Sequence, residues 1–263
     1  MKIVVLLGGI GNQLFQYVFY CYLQSKGHRV YYKDETLSGL AHNGRELDKY
    51  FQVNIRPVPW IITMFLKCSW RFFPKYYKQC IATDQNYLES KLLFIGYWMN
   101  KKFRLPTIEV QFKPLPLKHA NQAVLEQIQI TDSISLHVRR GDYLLPECTK
   151  RFCGICTKEY YQEAISFMCK KRQAAKFFVF SDDIPWCREH LPVTDAVFVD
   201  WNTGNDSIYD MYLMSHCKAN IIANSTFSYW GAIISNNSDV IYPKKWFGDI
   251  PAPDIFPSSW IGI

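Results

Sequence analysis

Two adjacent arginines, Arg139 and Arg140, stand with Gly141-Asp142 directly after the apolar alternation Ile134, Leu136, Val138. Guanidinium is always charged and offers a planar fork of donors suited to phosphate oxygens. The alternation predicts a short buried strand, and Gly-Asp is turn chemistry. Ligands of open α/β sheets sit beyond the carboxyl ends of the strands, so the arginine pair reads as an anion site; a surface salt-bridge turn is the plain alternative. Three further stretches hold polar groups in the same kind of position. Ser181-Asp182-Asp183 ends one apolar run, Asp200 ends another, and Asn224-Ser225-Thr226 follows a third, just ahead of a helical pattern. Asn224 or Ser225 is a good helix N-cap, and Asp182 and Asp183 would cap the helix after them. Two arginines, a hydroxyl-bearing helix start and carboxylates on one sheet edge together describe a nucleotide pocket. The arginines and the helix start would take a diphosphate, and a carboxylate would take base N–H groups or ribose hydroxyls.

The elements that must position these residues are legible as a pattern. Strands are expected at 134–138, 177–181, 196–199, 220–223 and 239–242, with helices between them at 158–171, 184–190, 207–216 and 227–235. Strands alternating with helices imply right-handed crossovers and a parallel sheet. The beginning of the chain shows a similar alternation. An apolar run at 2–7 leads into the turn Gly8-Gly9-Ile10-Gly11-Asn12-Gln13, then a helix over 14–25 and a strand at 28–32. A strand, a glycine turn and a helix start form an anion cradle. It is close to a dinucleotide fingerprint, but Leu14 stands where a third glycine would allow close helix–strand packing. Between 37 and 130 the pattern is irregular and broken by prolines. Strand-like pieces lie at 87–98, and Tyr97-Trp98 is either core or a platform for a sugar. Pro114 and Pro116 mark a link between two domains.

Composition sets the outer limits. The chain is 49% hydrophobic and 16% aromatic, which excludes a disordered protein. Its 30 Lys and Arg against 23 acids give +7, which suits an anionic ligand or an anionic lipid surface. With no zinc-finger or RNP-like pattern, a nucleic-acid partner is not expected. The apolar run at 60–66 is about half the ~20 residues of a spanning helix; with Lys67, Arg71, Lys75 and Lys78 around it, it is a core helix or a membrane-surface segment. Nine cysteines without a framework read as reduced thiols. Cys148, Cys153 and Cys156 lack the second pair a structural zinc needs.

Five stretches in order resemble the bacterial α-1,2-fucosyltransferases: residues 8–17, Gly96-Tyr97-Trp98 with Phe103, His137-Val138-Arg139-Arg140-Gly141-Asp142-Tyr143, Phe180-Ser181-Asp182-Asp183, and 224–232. The third resembles the motif shared with α-1,6 and protein O-fucosyltransferases. Departures at Tyr229, Met99-Asn100 and Glu159 bear on acceptor preference more than on the reaction. The resemblance implies a GT-B fold, two Rossmann-like domains facing across a cleft. Residues 1–125 would form the acceptor-side domain, 126–245 the GDP-fucose domain, and 246–263 a tail packing back. It implies inverting, metal-independent transfer of L-fucose from GDP-fucose to a galactose 2-hydroxyl of an O-antigen or capsule repeat, with no cofactor. By motif match Arg139 takes the β-phosphate; Ser225, Thr226 and Phe227, with Asn224, hold the phosphates at the helix start; and Asn12 reaches the diphosphate from the other domain. His137 is a ribose or phosphate contact or a satisfied strand-end histidine. Asp182 or Asp183 contacts guanine. Arg140 binds donor or is structural. Asp142 is the catalytic base or an arginine brace. Expected partners are GDP-fucose and a galactose-containing glycan; the expected location is the cytoplasm, with peripheral inner-membrane association as an open alternative.

A nicotinamide-dependent oxidoreductase, a non-catalytic GDP-sugar binder and transfer to a different hydroxyl remain the competing readings. The tripeptide Arg140-Gly141-Asp142 also spells an adhesion motif, but it lies at a buried strand end.

Overall fold

The computed structural model describes residues 1–36, 43–69, 77–79 and 92–263. The chain divides into two compact units, Met1–Lys113 and Pro114–Ile263. A boundary at 125–126 would cut a helix that belongs to the second unit.

The first unit is built on a parallel sheet of order β2-β1-β4-β3. Its strands are β1 (Lys2–Leu6), β2 (Val30–Asp34), β3 (Tyr77–Gln79) and β4 (Leu93–Ile95). Every residue of β1 is buried, as a central parallel strand requires. The helix α1 (Ile10–Ser25) starts four residues earlier than the pattern placed it, inside the glycine turn, with Gly9 as N-cap. Two short helices follow, α2 (Leu47–Tyr50) and α3 (Trp60–Ser69). Trp98 is not a sugar platform. It is 4% exposed, stacks on Phe19 at 4.0 Å and 8°, and meets Phe94 and Phe103 edge-on, so it belongs to an aromatic core. The part of the 87–98 reading before residue 92 lies outside the described residues.

The second unit holds a six-stranded, all-parallel sheet of order β10-β9-β8-β5-β6-β7. Its strands are β5 (Asp132–Val138), β6 (Ala175–Ser181), β7 (Ala196–Val199), β8 (Ala219–Ile221), β9 (Val240–Tyr242) and β10 (Ile261–Gly262). The helices are α4 (His119–Ile130), α5 (Pro146–Phe152), α6 (Lys158–Lys171), α7 (Ile184–His190), α8 (Ile208–Met214) and α9 (Thr226–Ser235). β7, α6 and α7 fall on the expected residues, and the other expected elements shift by one or two residues at their ends. The sequence pattern missed α4, α5 and β10. β10 makes the tail a structural part of the sheet: it pairs with β9, and Ile263 N–H donates to Tyr242 O.

Chain order decides where this sheet opens. From β5 the chain moves one way through β6 and β7, then crosses to β8, β9 and β10 on the other side. The loop after β5 and the loop after β8 therefore diverge at a topological switch point, the usual ligand crevice of such sheets.

Candidate active site

β5 and β6 pair in register along seven residues, ending Val138 beside Ser181. The next residues on each strand, Arg139-Arg140 and Asp182-Asp183, therefore emerge together, and each arginine finds an acid. Arg139 is held twice: its Nε and Nη2 each lie 2.8 Å from Asp142 Oδ1, and its Nη1 lies 3.1 Å from Asp182 Oδ2. Burial works against its charge, but Asp182 and then Asp142 more than offset that, and its pKa lies above the ordinary value. Arg140 turns the other way. Its Nε pairs with Asp183 Oδ2 at 2.9 Å and its guanidinium lies 4.4 Å from the Trp186 ring. Its backbone N–H donates to Asp182 Oδ1 at 2.8 Å.

This geometry changes the reading of the two aspartates. Asp182 bridges Arg139 and the Arg140 backbone, while Asp183 holds Arg140 and caps α7 by accepting from Trp186 N–H at 3.1 Å. Both are engaged as arginine partners. Gly141 makes this packing possible: a Cβ there would sit 2.8 Å from Asp182 Oδ2. Asp200 is not brought to this cluster; it forms an exposed pair with Arg188 at 3.6 Å.

Across the switch point, α9 begins with Ser225 as N-cap, its Oγ accepting from Phe227 N–H at 3.3 Å. No acid occupies the first turn, so the positive end of the helix dipole is left for an anion. Thr226 and Phe227 are half-buried there. Asn224 has a different role from the one expected of it. Its Nδ2 donates to Phe152 O and Trp246 O at 3.3 and 3.2 Å, and its Oδ1 accepts from the Cys156 thiol at 3.4 Å. The side chain thus staples three loops together and is consumed inside the protein. Burial pushes that thiol up to about 12, so it stays protonated as a donor.

His137, the penultimate residue of β5, is 5% exposed. Its carbonyl accepts from Tyr161 Oη at 3.2 Å, and its ring lies 5.8 Å from that of Phe227. Its Nδ1 is buried without a partner. Such orphans are rare in folded proteins, and this one lies beside the start of α9. Burial first, with Arg139 adding and Asp182 opposing, pushes its pKa down to about 3, so the ring is neutral at neutral pH.

One residue of the site went unassigned in the sequence. Tyr143 Oη donates to Asn224 O at 2.9 Å and its ring stacks on Phe152 at 4.8 Å and 18°. It sits inside the arginine motif, but nothing in its type announces a bond 81 residues away.

In the first unit, the glycine turn is held by two fully buried glutamines. Gln13 Oε1 accepts from the N–H groups of Glu46 and Leu47, and its Nε2 donates to Gly8 O and Gly44 O. Gln16 does the same for Leu7 and Gly96. Gly8 has φ +75, a left-handed backbone that suits glycine. Asn12 stands half-buried in the first turn of α1, whose N-terminus has neither a capping side chain nor an acid.

Among the described residues no three His, Cys, Asp or Glu side chains cluster as a metal would need. A separate polar network lies at the start of α8. Asn202 donates to Asp210 at 2.7 Å and exchanges hydrogen bonds with Asn121, which also accepts from Trp201 Nε1. Loss of water pushes the Asp210 carboxyl up to about 8, with the Asn202 bond opposing.

Comparison with known proteins places this geometry. Residues 94–263 match the family model described as glycosyl transferase family 11. The chain is 33% identical to an alpha-1,2-colitosyltransferase of Escherichia coli over 298 aligned residues, covering 100% of this chain and 99% of that protein. It is 23% identical to galactoside alpha-(1,2)-fucosyltransferase 2 of Bos taurus, covering 98% and 77%. Among solved structures, a family 9 glycosyl transferase from Veillonella parvula DSM 2008 superimposes with a TM-score of 0.50 at 12% identity, covering 100% and 85%, which speaks to the fold. The family match takes in the arginine loop, α9 and the whole second sheet, so the chain belongs to glycosyl transferase family 11 and is a glycosyltransferase of GT-B type.

Proposed function

We propose that the protein transfers L-fucose from GDP-fucose to the 2-hydroxyl of a galactose in a surface glycan, an O-antigen or capsule repeat, with inversion and without a metal. One observation carries this reading: the doubly held Arg139, the acid-free start of α9 and the unpartnered His137 Nδ1 meet at the switch point of the second sheet. Arg139 and α9 supply fixed positive charge where the departing diphosphate gathers negative charge, the task a divalent cation performs in other transferases. His137, neutral, contributes a hydrogen bond to ribose or phosphate without adding charge. Ser225, Thr226 and Phe227 present hydroxyl and backbone donors, and Asn12 keeps the diphosphate role implied by its motif. Asp182, Asp183 and Asn224 hold the other residues in place. Asp142, accepting from Arg139, is read as a brace, with the developing oxocarbenium character of the sugar reducing the need for a base. The protein would act in the cytoplasm on a galactose-containing repeat.

The similarity to a colitosyltransferase along the whole chain favours a second donor, GDP-colitose, whose sugar is L-fucose without its 3-hydroxyl. Release of GDP from GDP-fucose, GDP-colitose and GDP-mannose, each with a β-galactoside and a chelator, tests both readings. Acceptor-dependent release from GDP-fucose alone, followed by linkage analysis showing an α-1,2 product, supports the first. Preference for GDP-colitose replaces it with the second. Release from none of them, with no thermal stabilisation by GDP, overturns the donor site itself.

A further inference from the structure

The helix α3 shows an apolar face that the catalytic reading does not use. Its start is fixed firmly to the first sheet: Tyr32 N–H donates to Arg56 O and Val58 N–H to Tyr32 O, both at 2.8 Å, with Tyr32 and Pro57 in a parallel bridge. Pro59 O accepts from Thr63 N–H, opening the helix at Trp60. Val58 and Ile62 pack on the core of Ile3, Val5, Tyr31 and Leu93. With Ile62 fixed inward, helical geometry turns Trp60, Ile61 and Met64 outward, and they are 71%, 61% and 58% exposed. A tryptophan beside two aliphatic side chains, all held outward by an anchored helix, is an unusual surface for a water-facing protein.

Charge says what covers it. From Lys49 to Thr83 the sequence contains Lys49, Arg56, Lys67, Arg71, Lys75 and Lys78 and not one acid. Six positive charges in this stretch, against +7 for the entire chain, leave the rest of the molecule nearly neutral. An apolar helix face with a large aromatic, in a stretch of sequence that carries cations and no acid, suits an anionic bilayer surface, whose headgroup boundary takes up rings and aliphatic groups and whose phosphates attract basic sequence. Ten residues make α3 about 15 Å long, half the hydrocarbon thickness, and no helix among the described residues is long and apolar enough to cross.

We propose that α3 is an interfacial anchor that lays this protein on an anionic membrane surface through Trp60, Ile61 and Met64. The inference stands on the first unit alone and does not depend on the donor. It would give a transferase access to an acceptor carried on a lipid.

The test is cosedimentation of the full chain with vesicles of phosphatidylcholine alone or with about 30% phosphatidylglycerol, at low and high salt. The variants are W60Q/I61Q/M64Q and K67Q/K78Q. The expected result is binding to the anionic vesicles only, weakened by salt. Each variant should lose at least about tenfold in partitioning, while GDP release with a soluble acceptor and the melting temperature stay at wild-type values. A fluorescence blue shift on binding should disappear in W60F. Wild type that ignores anionic vesicles, or a triple variant that binds as well as wild type, overturns the proposal. So does a triple variant that instead turns a dimer into a monomer in lipid-free buffer, because a second copy would then be the occupant. Should GDP release be absent throughout, vesicle binding still reads α3 separately from the donor site.

Discussion

The Tyr143 hydroxyl donates to the Asn224 carbonyl at 2.9 Å, joining the loop that carries Arg139 to the residue ahead of α9. The arginine loop and the start of α9 are thus tied across the switch point by a neutral hydrogen bond. Tyr143→Phe removes the bond, leaves the stack on Phe152 and strands a carbonyl. A net loss of roughly 0.5–1.5 kcal/mol is expected, seen as a lower Tm. Affinity for GDP should weaken by about threefold to tenfold, because the loop and the helix start no longer hold their spacing. Tyr143→Ala, which also loses the stack, should do worse on both counts. Calorimetric titration with GDP checks this; a Phe variant with wild-type affinity and Tm would show that the bond positions nothing.

Arg139→Lys should fail almost as completely as Arg139→Ala. A single ammonium cannot hold Asp142 and Asp182 in the arrangement that the guanidinium fork sets at 2.8 and 3.1 Å. Turnover should fall at least about 10²-fold in both variants, by analogy with removing one charge-stabilising donor elsewhere. Retention of half the activity by either one removes Arg139 from the diphosphate.

Asp142→Asn distinguishes a brace from a base. Weaker GDP binding together with lower turnover is the brace result, expected from its two contacts to Arg139. Lost turnover with unchanged GDP affinity would make Asp142 the base.

Gly141→Ala introduces a Cβ at 2.8 Å from Asp182 Oδ2. Asp182 must move, and with it the hold on Arg139 and on the Arg140 backbone. The variant should fold, with far-ultraviolet circular dichroism unchanged, and lose at least about tenfold in GDP affinity. Unchanged affinity would mean that Asp182 is dispensable.

Two buried titrations pull stability in opposite directions. His137 has a folded pKa of about 3, below its unfolded value, so the stability it contributes is present above about 6.5 and is lost as pH falls toward 3. Asp210 has a folded pKa of about 8, above its unfolded value, so its contribution is complete below about 4 and is lost as pH rises through 8. Urea unfolding across pH 5–9 should show that Asp210→Asn flattens the alkaline decline and His137→Gln the acid one. Slopes unchanged in both variants contradict these assignments.

Much of the second unit is legible in the residues alone. The strands of residues 134–242, and the helices apart from α5, follow from apolar runs and caps, and the positions of Arg139 and Ser225 follow from where those strands stop. α4 escaped because only Asn121, Val124, Leu125 and Ile128 are buried, a thin stripe in a polar segment. Partners were also hidden. Which acid takes which arginine depends on the β5–β6 register, and the use of Asn224, Gln13 and Gln16 as staples depends on carbonyls far away in sequence. Trp98 stays open between core and sugar platform in the sequence, because residue type alone cannot separate a ligand-facing ring from one stacked in a core.

The level ending of β5 and β6 has a bearing on how the protein comes into being. Arg140 and Asp183 are 43 residues apart, and Tyr143 and Asn224 are 81 apart. Neither contact can form until long loops have closed and neighbouring strands have aligned, the slowest kind of event in folding. On the proposed function, a chain with its helices made but its strands unaligned has nowhere to put a diphosphate. Nucleotide affinity is in that sense a report on completed assembly, and GDP added during refolding should recognise only molecules that have finished.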